Sequence, residues 1–535
     1  MPKVLVIGLD GATWQLFRPW ASAGRLPHLA ALMERGTWGP LRSTIPPLTL
    51  PAWSSLMTGR NPGGHGIYAF WRLSTNRYEP GPIANASDMR APTIFDVAGR
   101  ADRRVGVVNV PPSYPIRPVN GFVVSCMLTP PGERFTDPPE VAAELGDYQI
   151  DVRAPDGLRT DPKAFAEKGL GFLEALRLQT RRRADAVIRL MQRRPIDLLG
   201  VVFYAPDRIQ HFFWEFLGDE SRLDQQGRAI RSACDAVYRE LDAAVGRLCE
   251  AAGPDVTTLV ASDHGFTSKP AHSMRINRWL ADNGFLHARP LWQLRRRIAR
   301  RAFPSGWRSR YDRFEATVNL AKTRAWADRI ETTTAAIWVH AKDRYPLGCV
   351  SPGAEYEAVR TQIIDGLQAL RDGEGRPVFR RVYRREELYR GPFVDDAPDL
   401  IGVTDERYGL VYGSLRRDLR ARGLFGPWGE LGYTGTHSPH GIYLLTGPHV
   451  QALGEHREYP IESIAPTALH LLDVAVPRQM EAPPMTSALD PEWLRTHPVQ
   501  LDEHSEDDVR ATADWKSAED EAKIADHLRA LGYLE

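Results

Sequence analysis

The chain has 535 residues, with 68 Lys and Arg against 67 Asp and Glu and a formal charge of +1 when histidine is neutral. That length exceeds the size at which one hydrophobic core stops growing, so one large core carrying insertions, or two domains, is expected. The near-neutral balance excludes a global electrostatic attraction to nucleic acid or acidic membranes, and 43% hydrophobic with 25% charged residues is ordinary for a soluble globular protein.

Met1-Pro2-Lys3 runs straight into an apolar strand, Val4–Leu9, which ends in Asp10 and Gly11. That run is too short for the hydrophobic region of a signal peptide. Thr49 follows the Pro-rich turn Ile45-Pro46-Pro47-Leu48 and stands at the start of a helical pattern, with Pro51 acceptable in its first turn. A hydroxyl there meets the positive end of a helix and its free N–H groups, which favours an attached phosphoryl group. As a nucleophile it needs activation, which metal coordination can supply. The plainer reading is a capping threonine.

A short strand is expected over Val105–Val110, and an Arg-rich helix from Phe165 to Arg194 leads into the strand Leu198–Phe203. Asp207 and His211 are spaced i, i+4, so on a helix they share a side and can share an ion. The rival is a surface Asp–His pair, which the flanking Phe203-Tyr204-Ala205-Pro206 and Phe212-Phe213-Trp214 argue against. A second helix, from about Gln225 to Ala251, precedes the strand Thr257–Ala261 and the turn Asp263-His264-Gly265. Neighbouring side chains diverge on a regular strand, but a glycine turn lets both face one ion; alone, the dipeptide reads as a plain turn.

From Leu291 to Arg324, Arg295, Arg296, Arg297, Arg300 and Arg301 are interleaved with Trp292, Phe303, Trp307 and Phe314. The plain reading is a solvated helical face over packed aromatic residues; the functional one is a cationic lid over an anionic substrate. His437 lies in the loop Gly435-Thr436-His437-Ser438-Pro439 before the strand Ile442–Leu445, with His440 as its near rival. His272, His287, His340 and His470 have no partner at ligand spacing and read as structural. Beyond Pro483-Pro484 the chain turns polar, then places Ile524, Leu528 and Leu531 on one helical face, for docking on the core or for contact with a second copy.

Strands alternating with long helices predict an α/β fold, a largely parallel central sheet with helices on both faces and an inserted cap region. Residues 1–265 and 390–482 are expected to form the core, 266–389 the insertion with its basic stretch at 291–324, and 483–535 a charged tail with a terminal helix. Functional groups in such sheets collect beyond the carboxyl ends of strands, where Asp10, Asp207 and Asp263 fall. Three Asp, three His and one hydroxyl suit two divalent ions, zinc or manganese rather than calcium. Cys126, Cys234, Cys249 and Cys349 are scattered without a CxxC pair, and no segment reaches the ~18–20 apolar residues of a membrane span. A cytoplasmic enzyme is the resulting expectation.

The five fragments around Asp10, Thr49, Asp207, Asp263 and His437, in this order over most of residues 1–480, resemble the type I phosphodiesterase/nucleotide pyrophosphatase family of the alkaline phosphatase superfamily. Pro92-Thr93-Ile94-Phe95-Asp96 and Val107-Val108-Asn109-Val110-Pro111 are similar to a prokaryotic branch of it. The resemblance implies an alkaline phosphatase-like fold and Thr49, nine residues before Thr58-Gly59, as nucleophile. It implies Asp10, Asp263 and His264 on the ion beside Thr49, and Asp207, His211 and His437, rather than His440, on the second. It further implies the Leu50 backbone N–H as oxyanion donor, a covalent phosphothreonine and a small-molecule phosphate ester as substrate.

One departure stands out. Characterised nucleotide pyrophosphatases of the family carry an Asn a few residues after the His-Gly-Ile turn, whereas His65-Gly66-Ile67 is followed here by Tyr68-Ala69-Phe70-Trp71-Arg72. Nucleotide specificity is therefore not carried over, and Arg72 or Asn76 is the candidate for the phosphoryl contact. Sulfatases need a modifiable Cys or Ser in Cys/Ser-x-Pro-x-Arg, which Thr49-Leu50-Pro51-Ala52-Trp53 lacks. The superfamily's mutases use a Ser close behind the first Asp, and its lipid phosphotransferases are membrane-anchored; neither pattern is present. Phosphodiesterase leads, phosphomonoesterase or phosphonate hydrolase follows, and a metal-binding pseudoenzyme acting as a binding module is the reading from another class.

Overall fold

The computed structural model describes residues 3–73, 78, 81–158, 165–289, 314–410, 415, 418–419, 423–429, 433–503 and 518–531. Its chain divides into two units, one of residues 1–70, 83–268 and 431–534 and one of residues 71–82 and 269–430.

The first unit is built on a ten-stranded sheet whose centre is parallel. Val4–Leu9 lies between Leu198–Phe203 and Thr257–Ala261, parallel to both, and Val105–Val108 and Gly121–Val124 continue beyond Leu198–Phe203. On the other side His440–Thr446 pairs antiparallel with Thr257–Ala261 and with Thr37–Arg42. Val4–Leu9 is buried along its whole length, as a parallel strand covered on both faces must be, which explains its unbroken apolar run. The long helices Phe165–Arg193 and Gln225–Ala252 supply Leu173, Leu176, Leu190, Leu241, Val245 and Leu248 to the core over one face. The strand expected over Val105–Val110 ends at Val108, because Asn109 takes a positive φ of 56°.

Register positions the site. Leu9 is level with Phe203, and Gly8 with Ala261, so Asp10, the helix Ala205–Phe213 and Asp263 all emerge at one carboxyl edge.

The second unit has its own core, including Met274, Trp326, Trp338, Ile363 and Leu367, around a four-stranded antiparallel sheet. It reaches past the insertion expected at 266–389, because Leu400–Thr404 pairs with both Thr334–Val339 and Phe379–Arg384, and Tyr408–Leu410 pairs with His272–Met274. It also takes in residues 71–82, where Tyr78 stacks on Phe314 and its hydroxyl meets His340 Nε2 at 2.8 Å. Residues 291–313, most of the basic and aromatic stretch, lie outside the described residues, as does Asn76.

Part of the described C-terminal region is packed into the first unit. Met485, Ala488 and Leu489 are fully buried, Val476–Pro477 pairs with Leu501–Asp502, and the helix Ala518–Leu531 docks on the first unit through fully buried Ile524 and Leu528. Leu531, expected on the same face, has a side chain outside the described part. Among the described residues, no helix is long and apolar enough to cross a membrane.

Candidate metal centre

Asp10 leaves its strand with its N–H donating to Phe203 O, and Gly11 turns the chain sharply at φ 68°. The turn aims the Gly11 N–H at Asp263 Oδ1, 3.1 Å away. A side chain at Gly11 would crowd Phe266 and the Asp207 backbone at 3.1–3.2 Å, so only glycine permits this approach without strain. Asp263 and His264 follow Ala261, and His264 Nε2 lies 3.2 Å from Asp263 Oδ2 and 3.9 Å from Asp10 Oδ1. His264 Nδ1 meets Gly265 O at 3.1 Å; a carbonyl only accepts, so Nδ1 carries the proton and Nε2 keeps the lone pair that a metal needs.

On the helix Ala205–Phe213, the i, i+4 spacing puts Asp207 Oδ1 3.4 Å from His211 Nε2. His437 joins them from far along the chain because Gly435–Ser438 pairs antiparallel with Gly265–Ser268, setting His437 opposite Phe266. Its Nε2 is 3.5 Å from Asp207 Oδ1 and 3.0 Å from His211 Nε2. His440, by contrast, is exposed and pairs with Glu458 at 3.0 Å. His437 also stacks on His264, ring centroids 3.9 Å apart, so the two donor groups adjoin.

Thr49 is the first residue of the helix Thr49–Thr58, with Leu48 in the N-cap position, and its Oγ1 makes no capping bond. The helix's first internal bond runs from Ala52 N–H to Leu48 O, which leaves the Leu50 N–H without an intrahelical acceptor. One turn on, Trp53 donates its indole N–H to Asp10 Oδ2 at 3.1 Å, holding the Thr49 helix against the first strand. Arg72 falls in the second unit, where its N–H donates to Pro82 O; the other seven predicted side chains all belong to the first.

Four buried atoms here make no hydrogen bond: Asp10 Oδ1, Thr49 Oγ1, Asp263 Oδ2 and His264 Nε2. Buried polar groups normally find partners, so four orphans from four separate side chains fit a set of ligands to a cation. Electrostatics agree. Burial and the neighbouring Asp263 and Asp207 push the Asp10 carboxyl well above its ordinary range, and burial pushes Asp263 up to about 8. Burial would raise Asp207 too, but His211, His437 and Arg208 outweigh it and hold that carboxyl well below the usual range. Burial holds the His211 and His264 imidazoles in their neutral, ligating form. Asp10, Asp263 and His264 form one group able to hold a metal ion, and Asp207 with His264 and His437 another. The shorter distances to His211 assign it to the latter side.

Sequence reasoning missed three contributors. Trp53 had a signal, since position i+4 from Thr49 shares its face of the helix. The buried Arg208, whose guanidinium meets Asp207 Oδ2, and Phe266, whose ring lies edge-on to His211 and His437, had none.

Residues 4–437 match the family model described as type I phosphodiesterase/nucleotide pyrophosphatase. Among solved structures, the chain is similar to an inactive variant of murine ectonucleotide pyrophosphatase/phosphodiesterase 5 in complex with AMP, at 15% identity and a TM-score of 0.51, covering 92% of this chain and 100% of that one. It is also similar to phosphonoacetate hydrolase from Sinorhizobium meliloti in complex with phosphonoformate, at 17% identity and a TM-score of 0.50, covering 88% and 96%. These likenesses are of fold, and the fold is the alkaline phosphatase-like one expected from the sequence.

Proposed function

From the chain's membership of the type I phosphodiesterase/nucleotide pyrophosphatase family, we propose that it is a two-metal phosphoric ester hydrolase with Thr49 as nucleophile and a phosphodiester as substrate. The observation that carries this reading is the set of buried orphans, Thr49 Oγ1 with Asp10 Oδ1, Asp263 Oδ2 and His264 Nε2, beside a second group of donors at Asp207, His211 and His437.

Asp10, Asp263 and His264 would hold one divalent cation next to Thr49, and Asp207, His211 and His437 a second. Mixed nitrogen and oxygen donors favour zinc, with manganese as the alternative. When bound, such a pair stabilises charge on the attacking and leaving oxygens. Thr49 Oγ1 attacks phosphorus, its proton ends on the departing alcohol, and a phosphothreonine forms. Water then cleaves the phosphothreonine, returning the Thr49 hydroxyl and releasing the remaining phosphoester. The Leu50 N–H, at the positive end of a buried helix, is the chain's own donor to a non-bridging oxygen. Four free thiols support a cytoplasmic setting for this chemistry.

The test is hydrolysis of an aryl phosphodiester against the matching aryl monoester, with zinc- and manganese-loaded protein and Thr49→Ala as control. A diester preference lost in Thr49→Ala is expected. A monoester preference would move the substrate class, and metal binding without turnover of either would favour the binding-module reading.

A further inference from the structure

Arg208 follows Asp207 directly and is fully buried. Its Nη1 lies 2.9 Å from Asp207 Oδ2, and its Nη2 lies 2.8 Å from Asp151 Oδ2. A buried guanidinium beside a group of cation ligands poses a charge problem. Unbalanced, it would claim the Asp207 carboxylate for itself and repel an incoming cation. Asp151, with its side chain 3% exposed, supplies the opposing charge. Because Arg208 holds Oδ2, the other oxygen of Asp207 is the one turned to His211 and His437.

The same Asp151 Oδ2 is 3.5 Å from Nε2 of His527. His527 belongs to the helix Ala518–Leu531, which is seated by Ile524 and Leu528 and by Glu521, whose carboxylate accepts from Ile83 N–H at 3.0 Å. This helix lies beyond residue 437, where the family match ends. An unbroken series of contacts thus runs from a segment outside the matched region to a predicted metal ligand: His527, Asp151, Arg208, Asp207.

We propose that Asp151 and His527 are positioning residues for the Asp207–His211–His437 triad. Acting through Arg208, they fix the orientation of Asp207, so that cation affinity at the triad depends on docking of the C-terminal helix. The inference rests on reading that triad as a cation site. Asp151 shares the Arg208 guanidinium with Asp207, which leaves Asp207 Oδ1 turned to the triad, and His527 holds Asp151 in place in turn. Groups that orient metal ligands in this way are worth about 10- to 100-fold in metal affinity.

The experiment is a Co²⁺ titration of the full-length protein, followed by visible absorption against a competing chelator, for wild type, Asp151→Asn and His527→Ala. His211→Ala identifies which band belongs to the triad. In Asp151→Asn the triad's ion should bind about 10- to 100-fold more weakly with a shifted band, while the other ion is unchanged. His527→Ala should weaken the same ion by less, and its partly exposed position keeps the test valid if Asp151→Asn fails to fold. Unchanged binding of both ions in the variants overturns the proposal, as does an equal loss of both, which would mark Asp151 as a general support of the fold. Wild type that binds no Co²⁺ refutes the cation-site reading itself, and the proposal with it.

Discussion

Trp53 donates its indole N–H to Asp10 Oδ2 across 3.1 Å, joining the helix that begins at Thr49 to the strand that ends at Asp10. Both side chains are fully buried, so water cannot replace the bond. A hydrogen bond to a charged group contributes about 1.5–3 kcal/mol. Trp53→Phe keeps most of the ring and removes the donor. We expect kcat/KM for an aryl phosphodiester to fall by about tenfold with cooperative melting retained. Wild-type kinetics in Trp53→Phe would show that the bond does not hold the helix in its working place.

Gly8 makes that bond possible. A Cβ at this position would stand 2.3 Å from Trp53 Cη2 and 2.8 Å from Val202 Cγ2. Gly8→Ala must therefore displace the indole or bend the strand, at a cost of about 1–3 kcal/mol for overpacking. Thermal melting should show a loss of several degrees, and the Trp53→Phe, Gly8→Ala double variant should lose less than the sum, because the smaller ring gives way. Additive losses would place the strain elsewhere.

Asp263→Asn should change sign with metal. In metal-free protein burial pushes the Asp263 carboxyl up to about 8, so at neutral pH the folded chain must hold a proton that the unfolded carboxylate does not, and the orphaned Oδ2 has no partner. Replacing it with a neutral amide of the same shape removes that cost, while the Gly11 N–H can still donate to the remaining oxygen. The metal-free variant is expected to melt above metal-free wild type. Added Zn²⁺ at about 100 times its Kd should stabilise wild type by about 2.7 kcal/mol and the variant by much less. Melting curves with and without Zn²⁺ check both; a variant that melts lower in both states would contradict the charge argument.

Much of this site is local and hence legible in sequence. Val4–Leu9, Leu198–Phe203 and Thr257–Ala261 announce themselves as buried strands, and their ligands lie within a few residues of the strand ends. Asp207 and His211 are fixed by helical spacing alone. The choice of His437 over His440 was not, because it depends on the pairing of Gly435–Ser438 with Gly265–Ser268, across most of the second unit's sequence. Asp151 had no local signal either; it reaches Arg208 across 57 positions, and neither residue has a motif. Composition misled at the C terminus, where scattered polar residues concealed buried Met485, Ala488 and Leu489. The span of the second unit was hidden because Leu400–Thr404 completes a sheet whose other strands come earlier.

His65 predicts a specific acid sensitivity. It is fully buried, and its Nδ1 accepts from Ile67 N–H at 3.2 Å, so the proton sits on Nε2, which donates to Ser55 Oγ at 2.9 Å. Burial, with the positive charge of Arg60, lowers its pKa to about 3. The unfolded chain, with an ordinary histidine near 6.5, binds a proton that the folded chain refuses. The stabilisation is therefore complete above about pH 6.5 and is lost as pH falls towards about 3, by about 1.4 kcal/mol per pH unit within that window. His65→Gln has no such proton to gain. At pH 7.5 it should be less stable than wild type through the lost Ser55 and Ile67 bonds, and the gap should close and then invert as the pH is lowered from 6.5 to 4.5. Melting temperatures of the two proteins across that range provide the check, and curves that stay parallel would mean that His65 is protonated in the folded state or does not titrate on unfolding.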